Sequence, residues 1–194
     1  KAREEIAELQ ALADSSSHIG GELDAAGNGR GAGQPRIEAW DYRYWAEKLS
    51  TLKYRLDENA LKPYLQLDRL RDAMFWVAGE LYGLSFAPLT EAAVYHPQVS
   101  VYAVTGRGGE PVGVFYFDPY ARKGKVSGAW MNNYRDQQRL GGAVLPIVSN
   151  NSNFVPAPAG APVLISWGDA ITLFHEFGHG LHGLLSAVTY PTLS

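Results

Sequence analysis

Val99-Ser100-Val101-Tyr102-Ala103-Val104, the glycine-rich run at 105–110, and Val112-Gly113-Val114-Phe115-Tyr116-Phe117 together decide the fold class. In the first run the pattern has a period of two, which is the spacing of a strand with distinct faces. Gly106, Gly108 and Gly109 supply a turn, and the second run is rich in β-branched and aromatic residues. The reading is an antiparallel hairpin. On either side of it the period lengthens to that of a helix, so the chain is expected to be α+β.

Working upstream, Leu67, Leu70, Met74, Val77 and Leu81 recur at helical spacing, and Gly83 is a plausible stop. Pro63 breaks this helix from a longer one expected over 38–62, with Trp40, Tyr44, Trp45, Leu49, Leu52 and Leu56 as its apolar stripe. That stripe reads as helix packing rather than a cofactor box. Residues 2–13 place Ile6, Leu9 and Ala13 as the end of another helix. Between them, the Ser, Gly and Asn of 14–36 predict a flexible loop. No apolar strand precedes its glycines and no Gly-Lys-Ser/Thr follows them, so it does not read as a phosphate cradle.

Downstream, Ala129-Trp130-Met131 and residues 144–148 are candidate strands, 150–162 a loop, and 163–166 a last short strand. The sheet is expected to be small and antiparallel. A final helix is predicted over 168–185, with Asp169 in its first turn favouring the N-terminal dipole.

That helix carries chemistry. His175-Glu176-Phe177-Gly178-His179 is the pattern H-E-x-x-H. At about 100° per residue, His175 and His179 stack one turn apart on one face and can share a tetrahedral zinc ion through ring nitrogens. Glu176 lies beside them, placed to address a metal-activated water as a general base without ligating the ion. With five His and eleven Glu in 194 residues, a chance match is about one in a hundred. Phe174, Phe177, Leu181 and Leu185 are read as the opposite, core-facing stripe. His182 rises about 10 Å from His175 along a straight helix, too far to share one ion with both. Gly178, Gly180 and Gly183 leave two readings open: close approach by a neighbouring element or substrate backbone, or packing glycines.

Bulk properties narrow the partners. A net charge of −3 advertises neither nucleic acid nor an anionic membrane surface. With no Cys, disulfides and thiolate ligands are excluded and a metal must rest on His, Asp or Glu. That composition is compatible with a reducing cytosol, and a cytoplasmic location is the working expectation. No apolar run approaches the roughly 20 residues that span a bilayer. The chain opens at Lys1 and is expected to be an excerpt from a longer protein.

The setting Thr172-Leu173-Phe174-His175-Glu176-Phe177-Gly178-His179-Gly180-Leu181-His182 resembles the M3 family of zinc oligopeptidases. Its peptidyl-dipeptidase (dipeptidyl carboxypeptidase) branch is most similar through residues 40–48, Leu61-Lys62-Pro63-Tyr64, Tyr95-His96-Pro97 and Gly128-Ala129-Trp130-Met131. The resemblance implies a predominantly helical, neurolysin- and thimet-oligopeptidase-like zincin with a small sheet beside the metal helix. It implies one zinc per complete enzyme, held by His175, His179 and a Glu absent from this chain, with the oxyanion-binding Tyr and His absent too. Residues 1–194 would then be part of one larger catalytic domain: a helical part at 1–83, a β region at 84–166 and the metal helix at 167–187. Expected substrates are short peptides, losing C-terminal dipeptides, with Glu176 as the catalytic residue. Gly128, Ala129 and Trp130 are candidate substrate-binding positions on a strand edge. Two alternatives stay open: an oligopeptidase-type endopeptidase of the same family, and a non-catalytic helical fragment. On its own, the chain is expected to be inactive.

Overall fold

A computed structural model describes residues 2–17, 36–54 and 58–194, which fall into two compact units, Lys1–Asp57 and Glu58–Ser194. In the first unit, helix α1 (Ala2–Ser17) pairs with α2 (Tyr42–Tyr54). Leu9 and Ala13 of α1 are buried, while the Tyr42 hydroxyl donates to Glu5 at 2.7 Å and the Lys53 ammonium to Glu8 at 2.7 Å. Helix α1 runs four residues beyond the expected end at residue 13. Of the long helix expected over 38–62, the described residues form α2 up to Tyr54 and a short helix, α3 (Glu58–Leu61); residues 55–57 lie outside the described residues. Nor is its aromatic stripe core, since α2 buries no residue and Trp40, Tyr44 and Leu52 are exposed. Most of the glycine-rich loop expected at 14–36 lies outside the described residues.

The second unit carries the sheet. Helix α4 (Leu67–Tyr82) ends at Gly83, whose backbone turns left-handed (φ 72°) and whose N–H returns to the carbonyls of Ala78 and Gly79. Strands β1 (Ser85–Pro88), β2 (Ser100–Thr105), β3 (Pro111–Tyr120), β4 (Trp130–Arg135) and β5 (Ile147–Phe154) follow, then helix α5 (Trp167–Leu185). The hairpin appears as β2 and β3, paired antiparallel with Val101 opposite Tyr116 and Ala103 opposite Val114.

The sheet is mixed, not antiparallel. Its order is β1-β2-β3-β5-β4, and β5 lies parallel to β3 with Phe115 opposite Val148. After β3 the chain passes to the far edge, descends as β4, and folds back as β5 between the two. β5 is the reason the sequence misleads. In Ile147-Val148-Ser149-Asn150-Asn151-Ser152-Asn153-Phe154 the part from Asn150 on reads as loop by composition, yet the whole is an interior strand whose residues 148–152 are buried. The expected strand at 144–148 is shifted accordingly. Residues 163–166 make only an isolated bridge, Leu164 to Gln66, rather than a strand.

One face of the sheet packs on α4 and α5 through an aromatic cluster. Phe75 stacks on Phe86 at 4.2 Å between centroids, and Phe177 of α5 meets Phe115 edge-on at 5.6 Å. The two helices thus flank a shared apolar layer, and burial of these rings anchors α5 against β3. No helix among the described residues is long and apolar enough to cross a membrane.

Candidate metal centre

Helix α5 begins with a capping box. The Ser166 hydroxyl accepts the Asp169 N–H at 3.0 Å, and the Asp169 carboxylate accepts the Ser166 N–H at 3.2 Å. Two donors that a helix start would leave unpaired are satisfied. From there Ala170, Leu173, Phe177, Gly180, Gly183 and Leu184 are buried. The inward stripe therefore differs from the expected one: Phe177 belongs to it, Phe174 and Leu181 are only partly buried, and Leu185 is exposed.

The opposite face presents His175 and His179, both exposed. Their Nε2 atoms lie 3.1 Å apart, with the rings nearly perpendicular at 79°. Two ring nitrogens bound at ~2.0–2.1 Å to one tetrahedral ion stand roughly 3.3 Å apart. The spacing therefore suits a single zinc-sized cation. Among the described residues no group of three His, Cys, Asp or Glu gathers closely enough to hold a metal.

Beside the pair lies a cleft of about 470 Å³. Glu176, His179 and His182 line it from α5, and Ala129, Trp130, Met131 and Asn133 line it from the sheet. Of the three candidate substrate-binding residues, Ala129 and Trp130 therefore share the cleft with Glu176. Gly128 does not line it; it is the turn residue before β4, at φ 94°. β4 is an edge strand, paired on one side with β5.

The three glycines of α5 separate cleanly. A Cβ on Gly180 would meet the Asn150 Oδ1 at 2.8 Å, and one on Gly183 would meet Asn133, Met131 and Val148 at 2.7–3.0 Å. Both let β4 and β5 approach the helix backbone. Gly178 faces open space. His182 lines the cleft and, among the described residues, joins no group of three that could hold a metal. His96 accepts the Gln98 N–H at 3.3 Å in the turn before β2.

On the sheet face away from α5, the buried Asp118 carboxylate takes both Arg122 nitrogens (2.6 and 2.7 Å), the Lys125 ammonium (2.9 Å) and the Tyr95 hydroxyl (3.0 Å). Burial alone would raise its pKa, but the Arg122 and Lys125 contacts outweigh it and hold the carboxyl below its usual range. Burial pushes the Lys125 ammonium down, against the pull of Asp118. Sequence reading passed over Met131, Asn133, Lys125 and Asn153. Met131 belongs to the Ala129–Met131 candidate strand, whereas Asn153 falls in a polar run that reads as loop.

The sequence profile of Peptidase family M3 matches residues 2–194. The dipeptidyl carboxypeptidase of Salmonella typhimurium is 42% identical over 159 residues, covering 81% of this chain and 23% of that protein. The dipeptidyl carboxypeptidase of Escherichia coli is 38% identical over 195 residues, covering 100% of this chain and 26% of that protein. Oligopeptidase A of Salmonella typhimurium is 34% identical over 158 residues, covering 80% and 23%. The chain thus spans about a quarter of the length of these relatives. With the profile matched from residue 2 to residue 194, around a helix that pairs two histidines over a sheet-lined cleft, this chain belongs to peptidase family M3.

Proposed function

We propose that the chain carries the core of a zinc-dependent peptidase active site, acting on short peptides and releasing C-terminal dipeptides. The observation that carries the reading is the convergence of the His175 and His179 Nε2 atoms, 3.1 Å apart, beside a cleft that Glu176 also lines. His175 and His179 would hold the metal. The third ligand and the groups that bind the oxyanion lie outside the described residues. When bound, zinc supplies a Lewis acid that polarises the scissile carbonyl and lowers the pKa of water toward ~7.

The Glu176 carboxylate takes a proton from the attacking water and delivers it to the leaving amine nitrogen. The unpaired edge of β4 accepts the peptide backbone as an added strand, with Ala129 and Trp130 nearest the reacting end and Gly128 turning the chain into it. The two units would be parts of one larger, mostly helical catalytic domain, placed in the cytoplasm. Dipeptide release is supported by the two dipeptidyl carboxypeptidase relatives, which align over more of the chain or at higher identity than oligopeptidase A.

Glu176→Gln in the full-length enzyme tests the reading. The expected result is loss of peptide cleavage by about 10²–10⁴-fold with zinc content unchanged. Full activity in that variant removes Glu176 as the base. Blocking the substrate's C-terminal carboxylate separates the two specificities: a dipeptide-releasing enzyme stops, and an endopeptidase continues.

A further inference from the structure

β4 buries little of its own surface and is held mainly by pairing with β5 and by a few contacts, such as Arg135 Nε to the Leu145 carbonyl at 2.7 Å and Met131 against the Gly183 position. Asn132, Asn133, Tyr134 and Arg135 are exposed, and only Trp130 and Met131 are half-buried. The ladder to β5 registers the strand from Trp130 onward, opposite Asn151, but Ala129 and Gly128 precede it, so their placement rests on how the entering segment is held.

The segment entering it is pinned at two points. The Asn153 carboxamide of β5 donates to the Val126 and Gly128 carbonyls, each at 2.8 Å. These two bonds bracket Ser127, leaving the chain little freedom before Gly128 turns it, at φ 94°, into Trp130. Three residues earlier the Lys125 ammonium, buried to 3% exposure, donates to the Asp118 and Tyr120 carbonyls at 2.8 and 2.9 Å and to the Asp118 carboxylate. Lys125 thereby ties the loop to the end of β3, and Asn153 ties it to β5. The Ala121 N–H adds a bond to the Phe154 carbonyl at 3.0 Å.

We infer that Asn153 and Lys125 are positioning residues for substrate: they set the register at which Ala129 and Trp130 meet a peptide in the cleft beside Glu176. The inference rests on the reading of the β4 edge as the peptide-binding strand. Neither residue touches the metal pair or the reacting atoms, so loss of either should weaken ground-state binding and leave the chemical step in place.

Asn153→Asp turns the double donor into an acceptor facing two carbonyls, and Lys125→Met removes the ammonium while keeping the Asp118–Arg122 pair. In the full-length enzyme, kcat and KM are measured on unblocked peptides together with zinc content and Tm, with Glu176→Gln as a parallel arm. The expected result for both positioning variants is KM raised about tenfold, kcat within about twofold of the parent and zinc content unchanged. Unchanged KM in both, or a loss carried by kcat or by zinc content, overturns the inference. Should Asn153→Asp fail to fold, Lys125→Met decides on the same readouts. Full activity in Glu176→Gln would instead sink the peptidase reading itself, whatever the positioning variants do.

Discussion

The Asn150 Oδ1 of β5 sits 2.8 Å from where a Cβ on Gly180 of α5 would be, directly beneath the turn that bears His179. Asn150 is 2% exposed, and neither its Oδ1 nor its Nδ2 has a hydrogen-bond partner among the described residues. The Phe115 ring approaches the same Gly180 position to 3.5 Å. The buried Asn150 side chain cannot swing into solvent to admit a methyl group. Contact between helix and sheet at this point therefore depends on Gly180 having no side chain.

The same substitution should accordingly change sign along one helix. Gly178→Ala meets open space and gains helix propensity, so it is expected to stabilise by up to ~1 kcal/mol. Gly180→Ala gains the same amount but overpacks a buried side chain, at about 1–3 kcal/mol, and should destabilise on balance. In an Asn150→Ala background the obstruction is gone, and Gly180→Ala should become neutral or stabilising. A double-mutant cycle by thermal or denaturant unfolding measures the coupling. Additive effects of the two substitutions would show that Asn150 is not what excludes the methyl.

Asp118 gives a pH-dependent prediction. Its folded pKa lies below the unfolded value of about 3.9, so its contribution to stability is present above that value and is lost as pH falls through the folded pKa. Asp118→Asn should destabilise by about 3–5 kcal/mol near neutral pH, because Lys125 is left buried without its counter-charge. The variant should also lose less further stability than the parent between about pH 4 and pH 2. Unfolding free energies from neutral pH down to about pH 2 check both statements; parallel acid limbs in the two proteins would contradict the second.

The helix was legible in the sequence, and the sheet only partly so. Asp169 and the helical spacing around His175 and His179 are local signals, and α5 begins at Trp167, one residue before the expected start, although its buried stripe is 170/173/177 rather than 174/177/181/185. The β2–β3 hairpin was equally readable, since its alternation and its turn lie next to each other in the chain. β5 was not. Ser149, Asn150, Asn151 and Ser152 are buried because β5 lies interior between β3 and β4 and α5 packs over one of its faces, with Asn150 against Gly180, an arrangement that no local pattern encodes. The polar character is partly satisfied within the sheet, where the Asn151 amide donates to the Ser149 hydroxyl at 3.1 Å and the Trp130 carbonyl at 3.3 Å. The cleft was half legible: Ala129, Trp130, Glu176 and His179 were all singled out, but their convergence on one space depends on β4 lying at the sheet edge.

Capping can be separated from chemistry at Ser166. Ser166→Ala removes one half of the capping box and should cost about 1 kcal/mol. His175 lies more than two turns into the helix, and the aromatic packing of Phe177 holds that part in place. The expected outcome is a lower Tm with zinc affinity of the full-length enzyme unchanged. A parallel loss of zinc would mean that the helix start, and not the Phe177 packing, keeps the imidazoles in register.

Metal removal bears on the pair itself. A chelator should abolish peptide cleavage by the full-length enzyme, and added zinc should restore it. His175→Ala and His179→Ala should each lower zinc affinity sharply, because each removes one of the two nitrogens that converge at 3.1 Å. The 194-residue chain by itself should bind zinc far more weakly than the full-length enzyme, since two imidazoles leave half of a tetrahedral shell to water and no group of three ligands forms among the described residues. It should turn over no peptide. Zinc titration of the chain and of its His175→Ala variant reads the first statement, and product analysis with a C-terminally free peptide reads the second. Detectable cleavage by the purified chain would mean that its two histidines and Glu176 suffice without a third protein ligand.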